Sequence, residues 1–106
     1  MDMKRVIIES PLAGDVNKNK EYAKKCILDS LKRGEAPFAS HLFYTQVLDD
    51  LVEEERKLGI EAGLEWGKKA DITAVYTDLG ISRGMELGIE KAKQENRTIE
   101  YRKFLN

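Results

Sequence analysis

The stretch Asp71-Ile72-Thr73-Ala74-Val75-Tyr76-Thr77-Asp78-Leu79-Gly80-Ile81-Ser82-Arg83-Gly84-Met85-Glu86 decides how this chain folds. Ile72 to Tyr76 is an apolar, largely β-branched run bounded by charges, the pattern of a short buried strand. The turn after it carries a carboxylate at Asp78, glycines at Gly80 and Gly84, and a hydroxyl at Ser82. Ser82 suits a helix N-cap, and Met85, Gly88, Ile89 and Ala92 then fall at i, i+3, i+4 and i+7. Strand, glycine-bearing turn and capped helix form the unit with which α/β proteins hold a phosphate or ribose at a helix N-terminus. The spacing matches neither the dinucleotide fingerprint nor the P-loop, and no lysine follows the second glycine. A plain connection has the same composition, so the turn alone assigns no function.

On the N-terminal side, Arg5 to Glu9 is a first short strand, ended by Ser10-Pro11-Leu12-Ala13-Gly14-Asp15. Helical pattern begins near Asn19: Tyr22, Ala23, Cys26, Ile27, Ser30 and Leu31 make one stripe, and Gly34 sits where a C-cap glycine belongs. Ala36 to His41 reads as a second strand with Pro37 at its start, and 42–51 as a long connection containing at least one helical turn. A second helix spans about Val52 to Lys69. The acidic residues Asp49, Asp50 and Glu53 to Glu55 cluster at its start, where the helix dipole favours carboxylates; metal binding would want ligands on converging elements. After the central stretch, the third helix runs to about Asn96, and Thr98 to Arg102 is a last strand with Ile99 and Tyr101 inward. The order β-α-β-α-β-α-β predicts a four-stranded parallel sheet with right-handed crossovers, an α/β three-layer sandwich forming one domain over 1–106.

Composition narrows the function classes. The chain has 106 residues, 42% of them hydrophobic and 35% charged, as in a soluble globular domain with one modest core. A formal net charge of −1 argues against a nucleic-acid scaffold held by bulk electrostatics. No apolar run is long enough to span a membrane and no secretory signal opens the chain, which points to the cytoplasm. A single cysteine excludes an internal disulfide. One Cys with one His argues against a structural zinc site, and no cofactor is expected.

The second helix has an unusual feature. Gly59, Gly63 and Gly67 recur every fourth residue and form one ridge, at a cost of roughly 1 kcal/mol each in helix propensity. Another backbone must therefore come close. Leu58, Ala62 and Trp66 lie to one side of the ridge and Ile60 and Leu64 to the other, more apolar arc than one sheet face covers. The expected arrangement is a homo-oligomer paired through helix 52–69; the alternative is that the 42–51 connection folds over this apolar strip within one chain.

Two segments carry a resemblance. Val-Ile-Ile-Glu-Ser-Pro-Leu-Ala-Gly at 6–14 resembles the first strand and loop of the nucleoside 2-deoxyribosyltransferase-like superfamily. Thr-Asp-Leu-Gly-Ile-Ser-Arg-Gly-Met-Glu-Leu-Gly at 77–88 is similar to the segment that opens that superfamily's last helix. Small phage and bacterial domains of unknown function share this reduced form. The resemblance implies a flavodoxin- or Rossmann-like sheet with strand order near 2-1-3-4. It also implies a carboxylate nucleophile, matched here by Glu86 with Asp78 assisting, and subunits that complete one another's sites.

In a doubly wound sheet, ligands sit beyond the carboxyl ends of the strands at the switch point. The loops gathered there offer Ser10, Gly14, His41, Tyr44, Asp78, Gly80, Ser82, Arg83 and Gly84. Asp78 can accept ribose hydroxyls or cap its own turn. His41 can serve an acid/base or stacking role, or be structural; Arg83 can meet a phosphate or point into water. Cys26, Tyr22 and Trp66 read as packing residues. The leading expectation is a nucleotide- or nucleoside-binding protein that sequesters or senses its ligand. The alternatives are an enzyme cleaving an N-glycosidic bond (a nucleoside deoxyribosyltransferase or a nucleotide hydrolase) and a structural or regulatory protein without a small ligand.

Overall fold

The computed structural model describes residues 3–105. Four strands, β1 (Arg5–Glu9), β2 (Ala36–Phe38), β3 (Ile72–Tyr76) and β4 (Thr98–Arg102), form one sheet. All pairings are parallel and the spatial order is β2-β1-β3-β4. The helices are α1 (Val16–Lys32), the short α2 (Ser40–Phe43), α3 (Glu53–Gly67) and α4 (Arg83–Gln94), with a single 3₁₀ turn at Tyr44–Gln46. This is the α/β sandwich that the alternation of patterns implies.

Period-two alternation splits each central strand between two layers. Val6 and Ile8 of β1 and Ile72, Ala74 and Tyr76 of β3 pack with Tyr22 and Cys26 of α1. Burial raises the Cys26 thiol to about 12, so it stays an inert core group. On the opposite face Val75 packs with Met85 and Ile89 of α4, and Ile99 of β4 leans on them. Ile7, Glu9 and Thr73 also point to that face, and they meet α3 and α4.

Caps fix the helix starts. Asp15 accepts from the Lys18 N–H at 3.2 Å, which starts α1 three residues before the apolar stripe suggests. Ser82 accepts from the Met85 N–H at 3.3 Å and caps α4. Gly34, with φ +84°, ends α1, its N–H bonded to Leu31 O at 2.9 Å.

Three expectations need correction. The second strand stops at Phe38, and His41 stands on α2, because Ala39 O accepts from the N–H groups of Leu42 and Phe43 and closes a helical turn. Leu31 is 49% exposed rather than part of the buried stripe. On β4, Tyr101 is 57% exposed, while Arg102 is buried at 5%. Beside α1 and β3, Arg102 gives both terminal nitrogens to the two oxygens of Glu35, each at 2.8 Å, and Nη1 to Tyr76 Oη at 3.2 Å. Arg102 can be buried there because its guanidinium is fully partnered, whereas Tyr101, near the end of the edge strand, stays in solvent.

The glycine ridge of α3 faces inward and is covered from within the chain. Gly59 meets Leu48 at 3.3 Å and Tyr44 at 3.8 Å, Gly63 lies against Ser40, and Gly67 lies 3.2 Å from an Arg97 nitrogen (all measured from a Cβ placed on the glycine). The 42–51 segment covers Gly59, while Ser40 and Arg97 cover Gly63 and Gly67, so the glycines themselves have their close neighbours within one chain. Leu58 and Trp66 remain more than half exposed. A Gly63→Ala methyl would sit 2.9 Å from Ser40 Cβ. Denaturant unfolding should show a net loss of about 1–2 kcal/mol despite alanine's better helix propensity, and Ser40→Gly should recover most of it. A stabilised Gly63→Ala would refute this packing.

Candidate functional site

α3 turns its glycines to Tyr44, Leu48, Ser40 and Arg97 rather than packing side chains onto the sheet, and a cavity of about 200 Å³ lies between it, α4 and the sheet. The upper end lies at the carboxyl edge, where Ser10, Ser40, His41, Tyr44, Ser82, Arg83 and Gly84 line it. Its lower wall descends past Glu9 and Gly88 to Thr73, Gly67 and Arg97. Asn19 shapes the β1–α1 loop by donating to Leu12 O at 3.1 Å and Ala13 O at 2.8 Å. Ser10 Oγ and His41 Nε2 share a hydrogen bond of 2.7 Å. Burial lowers the His41 ring to about 4, so at neutral pH it is an uncharged imidazole.

Glu9 is the unusual group. Protein surrounds it closely, yet its residue surface is only half-buried because it lines the cavity. Its carboxyl lies against Gly88, where any Cβ would overlap it. Among the described residues no donor is hydrogen-bonded to that carboxyl. Burial drives it up to about 8, with nearby Arg97 opposing, so Glu9 is mostly a neutral acid at pH 7. Arg97 is itself anchored: Nε donates to Glu95 at 2.8 Å and Nη1 to Thr73 Oγ1 at 2.9 Å.

The structure gathers Ser10, His41, Tyr44, Ser82, Arg83 and Gly84 around this cavity. It does not bring Asp78, Glu86, Gly14 or Gly80 to the lining. Asp78 turns to the α1 side, where it accepts from Tyr22 Oη at 2.6 Å and from the backbone N–H groups of Phe104 at 3.2 Å and Leu105 at 2.8 Å. Burial works against its charge, but these donors outweigh it and hold the carboxyl below its ordinary range. Asp78 thus fastens the C-terminal segment, over which Phe104 stacks on Tyr22 with centroids 5.5 Å apart. Glu86 is exposed in the first turn of α4, one position round from the buried Met85 and away from the Gly84–Gly88 side that lines the cavity. Gly14 and Gly80 carry positive φ, +97° and +88°, and serve the turns.

Glu9, Thr73, Arg97 and the α3 glycines were not singled out as site residues by the sequence. One signal was present. Glu9 stands two residues after the buried Ile7 of a central strand, so the strand period points it inward. Among the described residues no group of three His, Cys, Asp or Glu side chains is placed to hold a metal ion, and no helix is long and apolar enough to cross a membrane.

Comparison with known families agrees in extent with this single folded unit, for the match runs over residues 4–102. The chain belongs to the family described as Domain of unknown function (DUF7768). No curated protein matches it. The family's description assigns no activity, so the cavity itself must carry the functional argument.

The two buried titrating groups act in opposite directions on stability. Glu9 has a raised native value, so its favourable contribution is complete below about 4.5 and is lost as pH rises towards about 8. His41 has a lowered value, so its contribution holds above about 6.5 and is lost as pH falls towards about 4. Glu9→Gln should therefore raise the Tm at pH ~8, by a stability gain on the order of 1–3 kcal/mol, and the gain should vanish near pH 4.5. Scanning calorimetry across this range measures it. A gain independent of pH would disprove the assignment.

Proposed function

We propose that this protein binds a nucleoside or nucleotide in the cavity beneath α3. The observation that carries the reading is the cavity's position and lining. It opens at the carboxyl ends of β1 and β3, where parallel sheets bind ligands, and combines apolar walls with a few convergent polar groups. At about 200 Å³ it is smaller than the ~300–1,000 Å³ of drug-sized sites, which suits a base or sugar inside and any phosphate at the mouth. Arg83 and the N-terminus of α4 lie at that mouth, where an anion is favoured. Binding is favoured over glycosidic cleavage because Glu86 lies outside the lining and Glu9, mostly protonated, is a poor nucleophile.

Thermal-shift measurement against nucleosides, mononucleotides and cyclic nucleotides tests the reading. A ligand at a hundred times its Kd should stabilise the fold by about 2.7 kcal/mol, a rise of roughly 10 °C or more for a chain of this size. Gly84→Val should weaken binding at least tenfold with the fold intact, since a Cβ there meets only Ser82 Oγ at 4.0 Å. Asp78→Ala should lower the Tm yet leave affinity nearly unchanged. No shift with any of these ligands would overturn the reading.

A further inference from the structure

The inner half of the cavity differs from its mouth. The mouth is polar and carries Arg83 and Arg56; the inner walls are Ile7, Thr73, Met85 and the glycines Gly63, Gly67 and Gly88, against which Ser40, Arg97 and Glu9 lie. A largely apolar space of this size accepts a base more readily than a hydrated sugar or phosphate, whose polar groups cost more to desolvate. Two long polar side chains project into it, each opposite a glycine: Glu9 against Gly88 and Arg97 against Gly67. Arg97 is already engaged with Glu95 and Thr73, whereas the Glu9 carboxyl has no hydrogen-bonded donor among the described residues. Among those residues no fully buried side-chain polar atom lacks a partner, so the Glu9 oxygens face the open space of the cavity rather than being sealed in the core. A carboxyl that faces a cavity with no protein donor of its own is open to a group that enters from outside.

We propose that the inner half of the cavity is a base-recognition subsite, and that the carboxyl of Glu9 reads a nucleobase edge bearing an N–H donor beside an acceptor. The assignment rests on the nucleoside reading above and adds to it the orientation: base inward, sugar and any phosphate at the mouth. A neutral carboxylic acid offers one O–H and one C=O on neighbouring atoms, so it forms a paired hydrogen bond with such an edge. An ionised carboxylate keeps only acceptors and loses half of the pair. The titratable and charged groups that face this space are Arg97 from the segment before β4, His41 from α2, Tyr44, Asp50, Glu55 and Arg56 from the segment leading into α3 and its first turn, and Arg83 from α4. Of these, Arg97 is the one that acts on Glu9, favouring its charged form.

Isothermal titration of the full chain with the four ribonucleosides, each beside its edge-methylated counterpart, tests the assignment. The parent nucleoside that binds best should lose at least tenfold in affinity when its donor–acceptor edge is methylated. Glu9→Gln, which keeps a donor and an acceptor, should bind within about fivefold of wild type near pH 6.5. Above pH ~8 the wild type should weaken by about tenfold per pH unit relative to Glu9→Gln. That ratio cancels any titration of the ligand itself. Glu9→Ala should lose binding at every pH. Methylated ligands that bind as well as their parents, or a wild-type to Glu9→Gln ratio flat with pH, would overturn the Glu9 assignment while leaving nucleoside binding in place. If no nucleoside or nucleotide binds the wild type, the broader reading fails, and this one with it.

Discussion

The whole arrangement depends on one constraint: β1 and β3 are paired at the centre of a parallel sheet, and both faces must be covered. The two faces are covered differently. On one, α1 fills the surface side chain by side chain, with Tyr22, Ala23 and Cys26 closing over Val6, Ile8 and Ala74. On the other, α4 packs conventionally over Val75, but α3 comes near through glycines and touches α2 and Arg97 more than the sheet. A helix held in place by backbone proximity and a neighbouring short helix cannot fill the space below it, and a cavity results.

Polar groups follow the same division. On the α1 face, one hydrogen-bonded set joins Arg102, Glu35, Tyr76 and Asp29, with Tyr76 Oη donating to Asp29 at 2.7 Å and Ser30 Oγ to Glu35 at 2.7 Å, and a second joins Tyr22, Asp78 and the backbone at 104 and 105. Although burial opposes their charge, these donors hold Asp29 and Glu35 below the ordinary carboxylate range. The first set tethers β4 to the core and the second tethers the C-terminal segment. On the α3/α4 face the deeply surrounded carboxyl of Glu9 has no such donors among the described residues and moves the other way, to about 8. The same residue type is thus a structural anchor on one side of the sheet and an unsatisfied acid on the other, set by whether donors lie within reach.

How far the site could be read beforehand follows from distance along the chain. Ser10, His41, Tyr44, Ser82, Arg83 and Gly84 lie in loops or helix starts just after strands, and the carboxyl-end rule for parallel sheets gathers them. Asp78 obeys the same rule by position, yet its side chain is drawn across the sheet by Tyr22 and by backbone N–H groups at 104 and 105. Those partners are far away in sequence and leave no local pattern. Arg97 enters the cavity from the opposite, amino edge, which no rule about strand ends would suggest. The glycine ridge announced a close approach but not its partner, and Ser40 and Leu48 answered what a second chain might have.

Local patterns therefore determined most element types, the parallel orientation of the strands and the Ser82 and Gly34 caps, because hydrophobic period, β-branching and capping residues act within a few positions of one another. They also determined which loops meet at one end of the sheet. What only the tertiary structure decided is which way individual polar side chains turn and where volume is left unfilled. Those outcomes depend on donors and surfaces brought together from positions such as 22 with 78, 35 with 102, and 9 with 88. Burial free energy is settled by that assembled neighbourhood rather than by the residue and its sequence neighbours.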